Sequence, residues 1–256
     1  SVDAVTVPLN FSHQIELRNI SFSYPASRKR IINDINIRID ANSIVGIVGS
    51  SGSGKTTLVD IVLGLIPPCT GKLIVDGIEI MPDNVRCWQK IIGYVPQNIY
   101  LADTTIAANI AFGVPENAID HSAIERAARS ANLHDFIMSE LPNGYRTMVG
   151  ERGIRLSGGQ RQRIGIARSL YASPKVLILD EATSALDSVT EEAIMNDIYK
   201  LHNQKTAIMI AHRVTSLKRC DVIYHVEDGK IISHGTYVEM LETSSKFRRL
   251  ASASAH

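Results

Sequence analysis

The residues Gly49-Ser50-Ser51-Gly52-Ser53-Gly54-Lys55-Thr56 fit the pattern G-x-x-x-x-G-K-[ST]. Each fixed position has a chemical reason. Glycines let successive backbone N–H groups turn inward around phosphate oxygens, and a following helix adds unpaired donors and a partial positive charge. Lys55 then reaches the outer phosphates, and the Thr56 hydroxyl can ligate Mg2+. The plainer alternative is a flexible loop ahead of a helix. The flanks argue for phosphate: an apolar run precedes the loop and helical spacing follows it.

Val176-Leu177-Ile178-Leu179-Asp180-Glu181 is an apolar strand ending in two carboxylates. Asp180 can hold Mg2+ directly or through water. Alternation along a strand turns Glu181 away from Asp180, where it can polarise an attacking water. The alternative is a solvent-facing pair that caps the next turn. A third segment, Leu156-Ser157-Gly158-Gly159-Gln160, contains the capping-box pattern S-x-x-Q. Gly158 and Gly159 in the first turn each cost a helix about 1 kcal/mol relative to Ala. Bare backbone at a helix N-terminus suits close approach of an anion. On the residues alone, both a simple helix start and a second phosphate-reading element stand.

These segments need a scaffold of strands and helices. Alternation predicts strands over 14–22 and 31–39, and continuous apolar runs predict buried strands at 44–48, 91–95, 176–179 and 206–211. Residues 55–65 read as a buried helix stopped by Pro67-Pro68, and 72–75 as a strand turned by Asp76-Gly77. From about 98 to 148 the chain becomes Ala-rich with helical spacing, a helical insertion in a strand–helix core. Helices follow at 157–170 and 191–201, a hairpin at 222–233 and a helical tail after Gly235.

Length and charge narrow the class. The chain has 256 residues, 45% of them hydrophobic, so a folded core rather than disorder is expected. Lys plus Arg number 27 against 26 Asp plus Glu, which excludes a nucleic-acid binder held by bulk charge. No run approaches the roughly 18 apolar residues of a spanning helix, and no signal peptide is visible. Three cysteines without a C-x-x-C pair exclude a disulfide framework and suit a reducing compartment.

With these motifs in this order from about residue 15 to 250, the chain resembles the nucleotide-binding domain of an ATP-binding-cassette (ABC) transporter. Leu156-Ser157-Gly158-Gly159-Gln160 matches that family's signature in full. The resemblance implies an α/β fold: a P-loop NTPase core with a mainly parallel sheet, an antiparallel β element and a helical subdomain over about 98–168. The domain would span 13–250. Residues 1–12 would be a linker from a missing membrane domain, and 251–256 a frayed tail.

The resemblance also implies roles. Tyr24 falls where the family stacks an aromatic on adenine. Gln97, in Tyr94-Val95-Pro96-Gln97, matches the Q-loop glutamine that reaches Mg2+ or the attacking water. Ser184-Ala185-Leu186-Asp187 matches the D-loop, although Ser188-Val189-Thr190-Glu191 is also a capping box for the next helix. His212 matches the switch histidine on the γ-phosphate. One subunit would hold Mg·ATP through Gly49–Thr57, Asp180 and Gln97, with Glu181 as base for the water. A second copy would present Ser157, Gly158, Gly159 and Gln160 to the same γ-phosphate.

Thr147-Met148-Val149-Gly150-Glu151-Arg152-Gly153 resembles the loop that exporters of this family carry ahead of the signature, and the stretch 97–113 resembles half-transporter exporters, lipid and lipid-linked-sugar flippases among them. The usual pattern has an acidic residue where this chain has Met148, which puts a charge-based contact from that position in doubt. The resemblance implies a transmembrane partner in the same full-length chain, a head-to-tail dimer driven by ATP, no nucleic acid, and a place on the cytoplasmic face of the plasma (inner) membrane. The fragment itself is expected to be soluble. The alternatives are a stand-alone ATPase subunit of an importer, or a cassette ATPase outside transport.

Overall fold

A computed structural model describes residues 9–25, 29–150, 156–182, 188–200, 202, 204–211 and 213–253. The chain divides into two compact units, Ser1–Ile92 with His202–His256, and Gly93–Leu201.

The first unit is built on strands whose burial follows their patterning. β1 (Gln14–Phe22) and β2 (Ile32–Asp40) pair antiparallel, Leu17 opposite Ile37. β4 (Thr70–Val75) lies on the other side of β1, and the short β5 (Ile78–Glu79) completes this antiparallel sheet. Ile15, Leu17, Ile35 and Ile39 point inward, each 1% exposed or less, while the alternate polar residues face out.

The second group of strands is parallel. β3 (Ile44–Val48) runs between β8 (Thr206–Ile210) and β9 (Val222–Glu227), Gly46 beside Met209 and Ile223. Every residue of β3 and β8 is buried, as expected of strands covered on both faces. β10 (Lys230–Gly235) returns antiparallel through Asp228-Gly229, both at positive φ (47° and 73°), a turn geometry that suits a two-residue hairpin. α1 (Lys55–Val62) follows β3, and α2 (Val85–Gln89) brings the fully buried Trp88 to bond the Val62 carbonyl at 2.7 Å. α8 (Tyr237–Thr243) and α9 (Ser245–Ala253) close the chain.

Both ends differ from expectation. The segment read as a linker through residue 12 is packed from Leu9 onward, because Phe11 is buried and meets Trp88 edge-on at 6.3 Å. The Asp76 carboxylate then accepts the amides of Ser12, His13 and Gln14. At the other end α9 extends over Ala251–Ala253, the first half of the expected frayed tail.

The second unit is mostly helical. α3 (Ile106–Ile110) and α4 (His121–Ser130) pack on α6 (Gly158–Tyr171), α5 (His134–Glu140) packs on α4, and α7 (Ser188–Lys200) follows. Ile106, Ile124, Ala128, Leu133 and Ile164 form the apolar centre. Two strands lie side by side here, β6 (Ile92–Val95) and β7 (Val176–Asp180). β7 is buried throughout. β6 is not the continuous buried strand expected: Gly93 and Val95 are buried, while Ile92 and Tyr94 are only half so. Among the described residues no helix is long and apolar enough to cross a membrane.

Candidate functional site

In the first unit the phosphate loop is fixed by close packing. β3 delivers Gly49 against β9, where a Cβ would lie 2.1 Å from the Val226 carbonyl oxygen. No side chain fits that gap. Gly54 is the N-cap of α1 at φ 105°, and a Cβ there would meet the Ile31 carbonyl at 2.9 Å. Among the described residues no side chain caps α1, an arrangement that suits an anion at its first-turn amides.

Lys55 is 6% exposed and curls back over the loop, its Nζ donating to the carbonyls of Gly49 and Ser50 at 2.8 and 2.9 Å. The buried Ser53 hydroxyl finds no hydrogen-bond partner among the described residues. Ser50, Ser51, Gly52 and Thr56 are exposed. An uncapped helix start, an ammonium beside it and an orphaned hydroxyl beneath it fit a phosphate chain. Tyr24 stands 44% exposed, edge-on to Phe22 at 5.0 Å, with its hydroxyl 3.4 Å from Thr57 Oγ1. Its ring is therefore partly accessible.

The carboxylates lie in the second unit. Asp180 ends β7 almost buried and accepts the Tyr94 hydroxyl at 3.4 Å. Strand alternation, expected from the sequence to turn Glu181 away from Asp180, does not set its direction. The strand has ended, and Glu181 sits at φ 51°, in the left-handed region. Its carboxylate accepts the Gln97 amide, and its backbone carbonyl accepts Gln162 Nε2 at 3.3 Å. Gln97 and Glu181, chosen on separate grounds, are thus brought together. Two residues not singled out from the sequence, Tyr94 and Gln162, touch the same turn. For Gln162 a signal existed: an amide interrupting the apolar face of α6.

The signature opens α6. Ser157 is the N-cap: its Oγ accepts the Gln160 amide at 3.1 Å, and Gln160 Oε1 accepts the Ser157 amide at 2.8 Å. The capping box is therefore real, and it leaves room for the other reading. The cap uses a lone pair of the Ser157 hydroxyl, so the hydroxyl proton can still be given to an anion. Ser157 is exposed, with Gly158, Gly159 and Gln160 half-exposed behind it.

Arg168, further along α6, donates to the carbonyls of Asn109 and Tyr100 and covers the Phe112 ring at 4.7 Å; burial pulls its pKa down. Met148 is 54% exposed and forms an isolated bridge with Thr105. His212, the stretch Ser184–Asp187 and residues 151–155 lie outside the described residues. α7 begins at Ser188, so the residue expected as its cap is already helical.

Among the described residues no three His, Cys, Asp or Glu side chains converge as a metal site. Thr56 in the first unit, and Gln97 and Asp180 in the second, each carry an oxygen donor of the kind that Mg2+, a hard cation, prefers.

Residues 32–184 match the family described as ABC transporter. The chain belongs to that family. It has the P-loop ABC ATPase fold. It is 41% identical, over 96% of its length, to ATP-binding cassette sub-family B member 5 of Mus musculus, of which it covers 20%. It is 38% identical, over 95% of its length, to the ATP-dependent lipid A-core flippase of Chromohalobacter salexigens, of which it covers 42%. A solved structure of a bacterial Atm1-family ABC exporter with ATP bound matches all of this ABC chain at 33% identity and a TM-score of 0.91, and 44% of that exporter is covered. The chain thus spans less than half the length of each of these relatives.

Proposed function

We propose that the chain is the ATP-binding and ATP-hydrolysing part of an exporter. The observation that supports it most is the loop at the start of α1: obligatory glycines, a helix start without a side-chain cap and a buried lysine folded over the loop. The exporter reading, rather than the importer subunit, draws on what the similar proteins are named.

The roles follow from the chemistry. Gly49–Thr57 wrap the triphosphate, Lys55 releases the loop carbonyls to pair with its outer oxygens, and Tyr24 stacks on the base. Thr56, Gln97 and Asp180 would hold Mg2+, which supplies charge neutralisation at the phosphates. Glu181 takes a proton from water as its oxygen attacks the γ-phosphorus. The bond to ADP breaks, leaving ADP and inorganic phosphate. His212 holds the γ-phosphate. Ser157 and Gly158–Gln160 act on the ATP of a second copy, so nucleotide joins two chains and hydrolysis loosens them. In the full-length protein that cycle would move a substrate through membrane helices at the cytoplasmic face.

The test is Glu181→Gln. General-base catalysis is worth about 10²–10⁴-fold, so steady-state ATP hydrolysis should drop on that scale while nucleotide binding persists and nucleotide-bound dimer accumulates in size-exclusion runs. Turnover at the wild-type rate would remove Glu181 from the mechanism.

A further inference from the structure

α6 reaches the hydrolytic turn at two points on one face. Gln162, at the start of its second turn, is 2% exposed and donates to the Glu181 carbonyl at 3.3 Å. Three residues on, Gly165 is pressed against Ile99, where a Cβ would stand 2.4 Å from Ile99 Cδ1. Positions three apart share a helix face. Ile99 follows Gln97 by two residues, and the Gln97 amide holds the Glu181 carboxylate. The helix that begins with the signature therefore grips the Glu181 backbone at one point and the chain behind Gln97 at the next.

Glu181 needs such a grip. A left-handed backbone costs a residue with a Cβ roughly 1–2 kcal/mol, and it persists only where the surroundings over-determine it. A buried amide donor on its carbonyl is one such determinant. If that donor is lost, the peptide can rotate, and the carboxylate swings with it. A misplacement of about 1 Å at a reacting group can cost on the order of 10²-fold in rate.

We propose that Gln162 is a positioning residue for ATP hydrolysis: by bonding the Glu181 carbonyl it sets the direction of the Glu181 carboxylate and passes displacements of the signature helix to it. The proposal rests on the reading of Glu181 as the base. Gln162 does not touch nucleotide in this scheme, so its effect belongs to kcat and not to binding.

The experiment compares Gln162→Met, which keeps length and burial without the donor, and Gln162→Glu, which sets a carboxylate against the carbonyl. Each is made in the wild-type chain and in the Glu181→Gln chain. ATP hydrolysis, fluorescent-ATP binding and thermal melting are measured on all. Expected is a fall in kcat of about tenfold or more in the wild-type chain, with ATP affinity unchanged. In the Glu181→Gln chain no further fall is expected, because no base remains to be aimed. Wild-type kcat in either variant, an equal loss in both backgrounds, or a loss of ATP binding in proportion to kcat would overturn the proposal. Wild-type turnover by Glu181→Gln alone would instead overturn the base assignment and the positioning role with it.

Discussion

Two helices of this chain begin at glycines, and they are finished in opposite ways. α1 starts at Gly54 with no side-chain cap and a lysine folded over the preceding loop. α6 starts at Ser157 with both bonds of a capping box made by its own side chains. The first N-terminus has no side-chain cap, which suits a bound anion. The second is capped by its own side chains and exposed, so its start is held without a ligand. It has a hydroxyl proton and glycine backbone to offer to a phosphate brought from outside. The contrast separates a receptacle from a contact pad.

Gly49→Ala should produce the largest effect. Its Cβ has no space beside the Val226 carbonyl, so the loop must shift. Overpacking of this kind costs about 1–3 kcal/mol, read as a lowered melting temperature, and ATP binding should fall by roughly a hundredfold if the full cost falls on the cradle. Unchanged binding would mean the loop is not the receptacle. Tyr24→Ala comes next. Stacking on a base is worth about 1–3 kcal/mol, so KM for ATP should rise about tenfold at constant kcat, with little change in melting because the ring is half exposed.

Ser157→Ala is smaller in stability and sharper in meaning. Loss of the cap costs about 1 kcal/mol, visible in melting, while ATP binding at the first cradle stays as it was and hydrolysis declines. If binding declined as well, the two helix starts would not be separate in function.

The smallest effect lies outside both. Burial pushes the Asp76 carboxyl up, but the amides of Gln14, Ser12 and His13 and the Ser12 hydroxyl outweigh it and hold it below the usual 3.8. A depressed carboxylate stabilises the fold above its unfolded pKa and loses that contribution as pH falls through the folded one. The stabilities of wild type and Asp76→Ala should therefore converge below about pH 3.8 in acid titrations followed by circular dichroism.

What the sequence made legible follows the same contrast. Gly49–Thr56 could be read directly, because a cradle made of backbone demands glycines at fixed spacing, and fixed spacing survives in one dimension. The buried strands β3, β7 and β8 were equally plain as apolar runs. Gln162 was legible only as an amide interrupting the apolar face of α6; its partner, a carbonyl 19 residues away, was not. Nor was the left-handed turn at Glu181, since nothing in a glutamate announces positive φ. Phe11 lay in a stretch without periodicity, and its burial depends on Trp88, far along the chain. Tyr94 departs from the expected burial of β6, and its bond to Asp180, 86 residues away, leaves no local mark either.

The central claim is that the receptacle and the pad that complete one ATP site come from different copies. Lys55→Ala disables the first and Ser157→Arg the second, and each variant alone should hydrolyse ATP poorly. Mixed in equal amounts at high concentration, they form pairs in which one intact loop faces one intact signature. The account expects hydrolysis in the mixture well above that of either variant alone. A mixture as inactive as its components would contradict it.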